Sequence, residues 1–260
     1  MIADKAKMGT MPVENETLIF LHIPKVGGMT LSKILERHYS PTQTLNFDAG
    51  DNQQERFEAV PASQRARARL IKGHFFFGLH RFIAGPSVYI TFLRKPVERV
   101  LSFYHYARSD PDHYLHDLLM TEGLDLKRSV NEDLNLELCN EQTRMLAGDE
   151  WEDPRRPVTR ATLERAQANL RTYFRVVGLT EEFDASVTLL HQSFGWRLVP
   201  YAKENVTKDK PENTSIDPEI RRFIEESNTL DLELYEFARE LFRTNAQISP
   251  ATTSNPGRSK

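Results

Sequence analysis

The stretch LIFLHIPKVGGMTLSKILERHY, residues 18–39, changes character twice: an apolar run, a turn through Pro24-Lys25-Val26-Gly27-Gly28, then helical spacing. The run TLIFLHI (17–23) does not alternate, so it suits a strand covered on both faces, as in parallel sheets flanked by helices. A helix from about Gly28 to Tyr39 follows directly. Strand, glycine turn and helix bring unpaired backbone N–H groups and the positive end of a helix dipole to one point. That order directs the chain toward an α/β fold and marks the turn as a place for an anion. The lysine precedes the glycines, however, and the G-x-x-x-x-G-K-[ST] spacing is absent.

The alternation continues along the chain. LIKGH (70–74), SVYITFL (87–93) and FRVVGL (174–179) read as further buried strands, the last being the fourth. Pro96 suits the first turn of a helix over 96–109, where its missing N–H costs nothing. Residues 51–69 read as helix in pieces and 113–173 as helical, with NEDLNLELCNEQTRMLAG the clearest part and Gly148 its stop. Thr180 is placed to cap EEFDASVTLLHQSF. A loop rich in lysine and proline, 201–219, leads to a C-terminal helical pair, and SPATTSNPGRSK has the composition of a disordered tail. The expected organisation is a flexible leader over 1–16, a domain over 17–243 and a tail over 244–260. The domain is α/β and three-layered, with a mostly parallel central sheet flanked by helices.

At 260 residues, 39% hydrophobic and 27% charged, the chain can bury a full core. A formal net charge of -3 implies no general attraction to nucleic acid or membrane, so any anion site must be local. The one cysteine, Cys139, excludes an internal disulfide framework and suits a reducing compartment. No run approaches the ~20 apolar residues of a membrane span, and the N-terminus lacks a signal-peptide core. The expected location is cytoplasmic.

In a parallel sheet, ligands sit at the carboxyl ends of strands. There the N–H groups of Gly27, Gly28, Met29 and Thr30 would face an anion, with a hydroxyl from Thr30 and a full charge from Lys25. The plain alternative is a strand-to-helix turn with glycines for geometry. TFLRKPVERVLSFYHY repeats the arrangement. Arg94 at a strand end and Ser102 two turns along the next helix could clamp a second phosphate through a bidentate fork. The alternative for Arg94 is a surface ion pair with Glu98. Two clamps suggest a ligand with two separated phosphate groups.

HIPKVGGMT resembles the 5′-phosphosulfate loop of sulfotransferases that use 3′-phosphoadenosine-5′-phosphosulfate (PAPS), and FLRKPVERVLSFYHY resembles their 3′-phosphate motif. KGHFFFGLH, NEQTRMLAG and VVGLTEEFDASVTLLHQSFGW resemble segments of the carbohydrate-type branch, the group that includes heparan sulfate 2-O-sulfotransferases. The resemblance runs from about Leu18 to Pro211. It implies a P-loop-kinase-like sulfotransferase fold, PAPS as sulfuryl donor, PAP as product, no metal, and a hydroxyl acceptor of carbohydrate type. Lys25, Val26, Gly27, Gly28, Met29 and Thr30 would then hold the phosphosulfate, and Arg94 and Ser102 the 3′-phosphate. Lys208, with Lys203 and Lys210, lies in a late loop of the kind that closes over the nucleotide. The family usually has threonine after the lysine and a small hydroxyl residue where Met29 stands. Both departures remove side-chain hydrogen bonds and leave the backbone cradle.

Sulfuryl transfer puts growing charge on the leaving phosphate and takes a proton from the acceptor. Lys25 suits the first need. The resemblance carries a catalytic base onto His74, at the strand end in KGH; a satisfied structural histidine is the alternative. His80 is the rival base or a substrate contact, and His22 reads as packing inside its strand. Arg144 and Phe76 are candidate acceptor contacts, with a salt bridge and core filling as their alternatives. Arg65, Arg67, Arg69 and Lys72 read equally as a basic rim for an acidic acceptor or as a solvated helix face. His105, His113 and His116 have metal-like spacing, but no cysteine or compact carboxylate set completes it. Two rival readings stand beside the sulfotransferase. One is an ATP-dependent kinase, for which no clear magnesium-binding acidic motif is present; the other is a nucleotide- or glycan-binding protein that has lost catalysis.

Overall fold

The computed structural model describes residues 16–48, 53–121, 125–130, 136–148, 156–202 and 216–248. Strands β1 (Thr17–Leu21), β2 (Thr44–Asn46), β3 (Leu70–Gly73), β4 (Ser87–Leu93) and β5 (Phe174–Leu179) form one sheet. Their order is β2-β3-β1-β4-β5, and every neighbouring pair is parallel. The unbroken apolar run of β1 fits its place, for the strand is buried along its whole length in the middle of the sheet. FRVVGL is therefore the fifth strand rather than the fourth. The strand absent from the sequence reading, β2, is a three-residue TLN at the sheet edge. It is too short and too polar to leave an apolar signature.

Helix α1 (Gly28–Leu35) follows β1 and stops short of Tyr39; α2 (Gln53–Ala59) and α3 (Ala62–Arg67) precede β3; α4 (Pro96–Ser109) follows β4. The long connection from α4 to β5 holds α5 (His116–Thr121), α6 (Leu126–Ser129), α7 (Glu141–Ala147) and α8 (Arg160–Tyr173). After β5 come α9 (Phe183–Phe194), α10 (Pro218–Ser227) and α11 (Thr229–Ile248). Two domain boundaries change. Glu16, assigned to the leader, pairs with Arg175 at 2.7 Å, and α11 runs through Ile248, past the expected end at 243. Residues 1–15 and 249–260 lie outside the described residues. Among the described residues no helix is long and apolar enough to cross a membrane.

The main core joins β1, β4 and β5 to α1, α8, α9 and α11, and a smaller one links α4 to α5, α6 and α10 through Phe103, Leu119, Leu126 and Ile224. The chain leaves β1 toward the β3 side and leaves β4 toward the β5 side. Strand order thus reverses between β1 and β4, and the carboxyl ends of those strands flank the crevice where open α/β sheets take ligands. Thr91 Oγ1 donates to the Leu21 carbonyl (2.9 Å), tying β4 to the end of β1.

Two helices cap one another across the sequence. Asn140, left-handed at φ 50°, precedes α7, and its Oδ1 accepts the N–H groups of Leu230 (3.0 Å) and Asp231 (3.1 Å) at the start of α11. The Asp231 carboxylate in turn accepts the N–H groups of Gln142 (3.2 Å) and Thr143 (2.7 Å) and the Thr143 hydroxyl (2.8 Å). Each satisfies donors that a helix start leaves without intrahelical partners. Both side chains are buried, so these bonds are not shared with water.

Candidate active site

Strand β1 ends at Leu21, which puts His22 just past the strand rather than inside it. The turn that follows is tightly wound. Lys25 (φ 70°) and Gly27 (φ 82°) are both left-handed, a conformation that costs a lysine energy and tends to be kept where function needs it. Gly28 is required for a different reason: a Cβ there would meet His22 Nε2 at 1.8 Å. No side chain caps α1 at Gly27, so the helix starts directly from the turn. Val26 is buried in the core, Met29 stands 53% exposed, and Thr30, expected to add its hydroxyl, is only 5% exposed.

The two anticipated clamps meet. Arg94 Nη1 donates to the Lys25 carbonyl (3.0 Å). The buried amide of Gln142 holds both backbone groups of Arg94, accepting its N–H (3.0 Å) and donating to its carbonyl (2.9 Å). Glu98, the alternative partner for Arg94, lies 3.9 Å from Arg221 instead. Thr180 Oγ1 points to the carbonyls of Val26 (2.8 Å) and Leu93 (3.1 Å), so it fastens the glycine turn to the end of β4. It does not cap α9, which starts at Phe183 with no side-chain cap. Glu181 accepts the Lys95 N–H (2.9 Å) and the Tyr235 hydroxyl (2.8 Å), fixing the corner that carries Arg94.

The Lys25 ammonium rests over the Tyr106 ring, 3.9 Å from its centroid. Burial, and then the Arg94 charge, bring its pKa down to about 8. Burial lowers Arg94 as well. Among the described residues neither cation forms an ion pair with a carboxylate. Ser102 lies one helical turn before Tyr106 on α4, half-buried on the face turned toward Lys25.

His74 is exposed just past β3, and its Nδ1 lies 2.7 Å from the His22 carbonyl. A carbonyl only accepts, so Nδ1 carries the proton and Nε2 keeps its lone pair. The His74 N–H donates to Asp48 Oδ1 (2.8 Å), which fixes the backbone beneath it. The His22 ring packs against His74 with centroids 4.3 Å apart. Burial first, then His74, Lys72 and Lys25, hold the pKa of His22 well below the usual histidine value.

Other anticipated residues lie elsewhere. His80 Nδ1 bonds the Tyr89 hydroxyl (3.0 Å), and its ring packs on Phe77 and Tyr173. Tyr89 pairs with Phe174, the first residue of β5, so His80 sits toward the amino ends of the strands and not beside Lys25. Arg144 is buried in α7, donates to the Arg156 carbonyl (2.9 Å) and lies 3.6 Å from Glu141, the salt bridge within its helix given as its alternative. Phe76 is half-buried against the core, its backbone held on both sides by Gln53. The basic rim is also misplaced: α3 and Arg69 precede the first residue of β3, at the opposite sheet edge from His74, while Lys72 pairs with Glu36 (3.1 Å). Lys203, Lys208 and Lys210 lie outside the described residues.

A sequence model of the sulfotransferase family matches residues 10–238. The chain belongs to the sulfotransferase family. Human heparan-sulfate 6-O-sulfotransferase 2 is 26% identical to this sulfotransferase-family chain over 283 residues, covering 90% of this chain and 46% of the relative. The Drosophila melanogaster uronyl 2-sulfotransferase homolog pip is 21% identical over 277 residues, covering 89% and 53%. The chain thus spans about half the length of these relatives. The crystal structure of mouse sulfotransferase SULT7A1 complexed with PAP aligns with a TM-score of 0.38 and 13% identity, over 84% of this chain and 66% of that one. Four supports of this sulfotransferase-family site went unread in the sequence: Gln142, Thr180, Glu181 and Tyr106. The first three reach it across 48, 154 and 86 residues. Only Tyr106, in the FYHY that follows Ser102, gave a usable signal, being an aromatic residue one turn beyond a clamp residue.

Proposed function

We propose that this chain transfers a sulfuryl group from PAPS to a hydroxyl of a carbohydrate acceptor. One observation carries the reading: Lys25 and Arg94, half-buried and without carboxylate partners among the described residues, converge on one crevice beside a histidine with a free ring nitrogen. A ligand with two separated anionic groups fits that arrangement, one at the glycine turn that opens α1, the other at Arg94 and Ser102. PAPS would supply the sulfuryl group and a phosphate oxygen as leaving group. His74 Nε2 takes the proton of the acceptor hydroxyl, while the Nδ1 proton stays on the His22 carbonyl and keeps the ring in place. The Lys25 ammonium, lifted from Tyr106, balances charge that grows on the leaving oxygen, and its partial burial strengthens that interaction. The printed names of the relatives, which act on heparan sulfate and uronyl groups, support an acceptor of carbohydrate class. Incubation with labelled PAPS and a panel of sugar and non-sugar hydroxyl compounds tests the proposal. Label should pass to a sugar; transfer to none of the panel by a chain that binds PAP would leave a binding protein instead.

A further inference from the structure

We infer that Arg99 is a positioning residue for the nucleotide's second phosphate: a buried cation behind Arg94 and Ser102 whose counter-charge arrives with the ligand. The inference rests on the sulfotransferase reading and adds a third member to the second anion clamp. Arg99 lies in α4 and is fully buried, at 0% exposure. Its Nη2 donates to the Glu137 carbonyl (2.6 Å), while Nε and Nη1 are buried with no hydrogen-bond partner among the described residues. No carboxylate among those residues forms an ion pair with it. Arg144, which is comparably buried, has Glu141 at 3.6 Å. A guanidinium cannot shed its proton, and a buried charge without a partner is costly. Such a group calls for a cause.

Its place in the fold supplies one. Arg99, Ser102 and Tyr106 follow at intervals of three and four along α4, so they form one stripe of the helix, and Lys25 rests on Tyr106. Arg94 is within reach of the same charge: burial above all lowers the Arg94 pKa, Glu181 and Glu98 raise it, and Arg99 lowers it further. The carboxylates around the clamp are engaged elsewhere. Glu181 accepts the Lys95 N–H and the Tyr235 hydroxyl, Glu98 lies 3.9 Å from Arg221, and the Glu137 carboxylate accepts the Tyr114 hydroxyl. Arg94 and Arg99 thus repel one another in the free chain. A phosphate monoester, with a charge of about -1.5 to -2 at neutral pH, relieves both when it sits at Arg94 and Ser102. Because Arg99 is shut away from solvent, it acts through space rather than by contact, and salt screens it little.

The test is calorimetry of PAP and of 5′-AMP, which lacks the 3′-phosphate, with the full chain and with Arg99→Met, Arg99→Gln and Arg99→Lys. Either neutral variant should weaken PAP binding about tenfold and leave 5′-AMP within about twofold. Arg99→Lys, which keeps the charge, should restore most of the PAP affinity. Removing the unpartnered charge should also leave the urea midpoint of the free chain unchanged or raise it. Equal losses for PAP and 5′-AMP, a lowered midpoint in both neutral variants, or failure of both to fold would make Arg99 a strut for the Glu137 segment and overturn the inference. Unchanged PAP affinity in the neutral variants overturns it as well. Absence of PAP binding by the unaltered chain overturns the sulfotransferase reading, and the inference with it.

Discussion

His74 has one ring nitrogen committed and one free, and a backbone carbonyl rather than a carboxylate makes the commitment. The tautomer therefore survives any change of the His22 side chain that leaves the turn intact. His74→Ala should lower kcat by roughly 10²–10⁴ with PAP affinity unchanged, measured by steady-state kinetics beside calorimetry. Near-normal turnover in a folded variant would take His74 out of the mechanism. Lys25 gives a second expectation. Its pKa of about 8 in the free chain must rise when an anion binds, so PAP binding above pH 8 takes up a proton. The Kd for PAP should be flat well below pH 8 and weaken by up to about tenfold per pH unit above it. Stability of the free chain should move the other way. The unfolded lysine keeps its ordinary value of 10.5, so between about 8 and 10.5 the unfolded state binds more protons and folding gains as pH rises. Calorimetry in buffers of different ionisation heat checks the uptake, and Lys25→Ala should remove it. Lys25, His74 and Arg94 were legible because the strand ends beside them carry the signal. Gln142 and Thr180 were not, since a neutral side chain that grips a distant backbone has no local pattern.

Elements, by contrast, misled where sequence nearness stood in for spatial nearness. Arg69 is close to His74 in the chain, but β3 lies between, and its four residues carry the chain about 13 Å from one end of the strand to the other, while Lys72, inside β3, is tied to Glu36. The boundaries of β4, α4 and β5 were read as they stand because Pro96 and unbroken apolar runs mark them. The pairing of α7 with α11 had no such mark: Asn140 and Asp231 are ordinary polar residues until the fold buries them against each other's helix starts. Removing the carboxylate would leave two backbone donors and a hydroxyl buried without acceptors. Asp231→Ala should therefore cost at least about 3 kcal/mol in urea unfolding, with Asp231→Asn in between. A loss below about 1 kcal/mol would mean that water or a neighbour replaces the cap.

For the molecule as a whole, alternating strands and helices sufficed to indicate the fold class. The crossing order of the strands was not legible, because the sequence does not say which buried strand lies beside which. That order is what brings Lys25 and Arg94 together, and it leads to a test of the whole site. A ligand that binds only the folded chain stabilises it by about 2.7 kcal/mol at a hundred times its Kd. PAP offers phosphates to both clamps and should protect against heat without magnesium, far better than equal ATP. Protection by Mg-ATP and none by PAP would indicate a kinase and overturn the proposed function.

The reciprocal caps also order events during synthesis. All five strands lie before residue 180, yet the start of α7 finds its acceptor in Asp231, which leaves the ribosome 88 residues after Thr143. A nascent chain that has finished β5 thus holds all five strand segments and the glycine turn while α7, with the Gln142 amide that grips Arg94, is still unsecured. The corner that carries Arg94 is the last feature to be completed. A chain stopped at residue 228, which lacks α11, should gain no thermal protection from PAP.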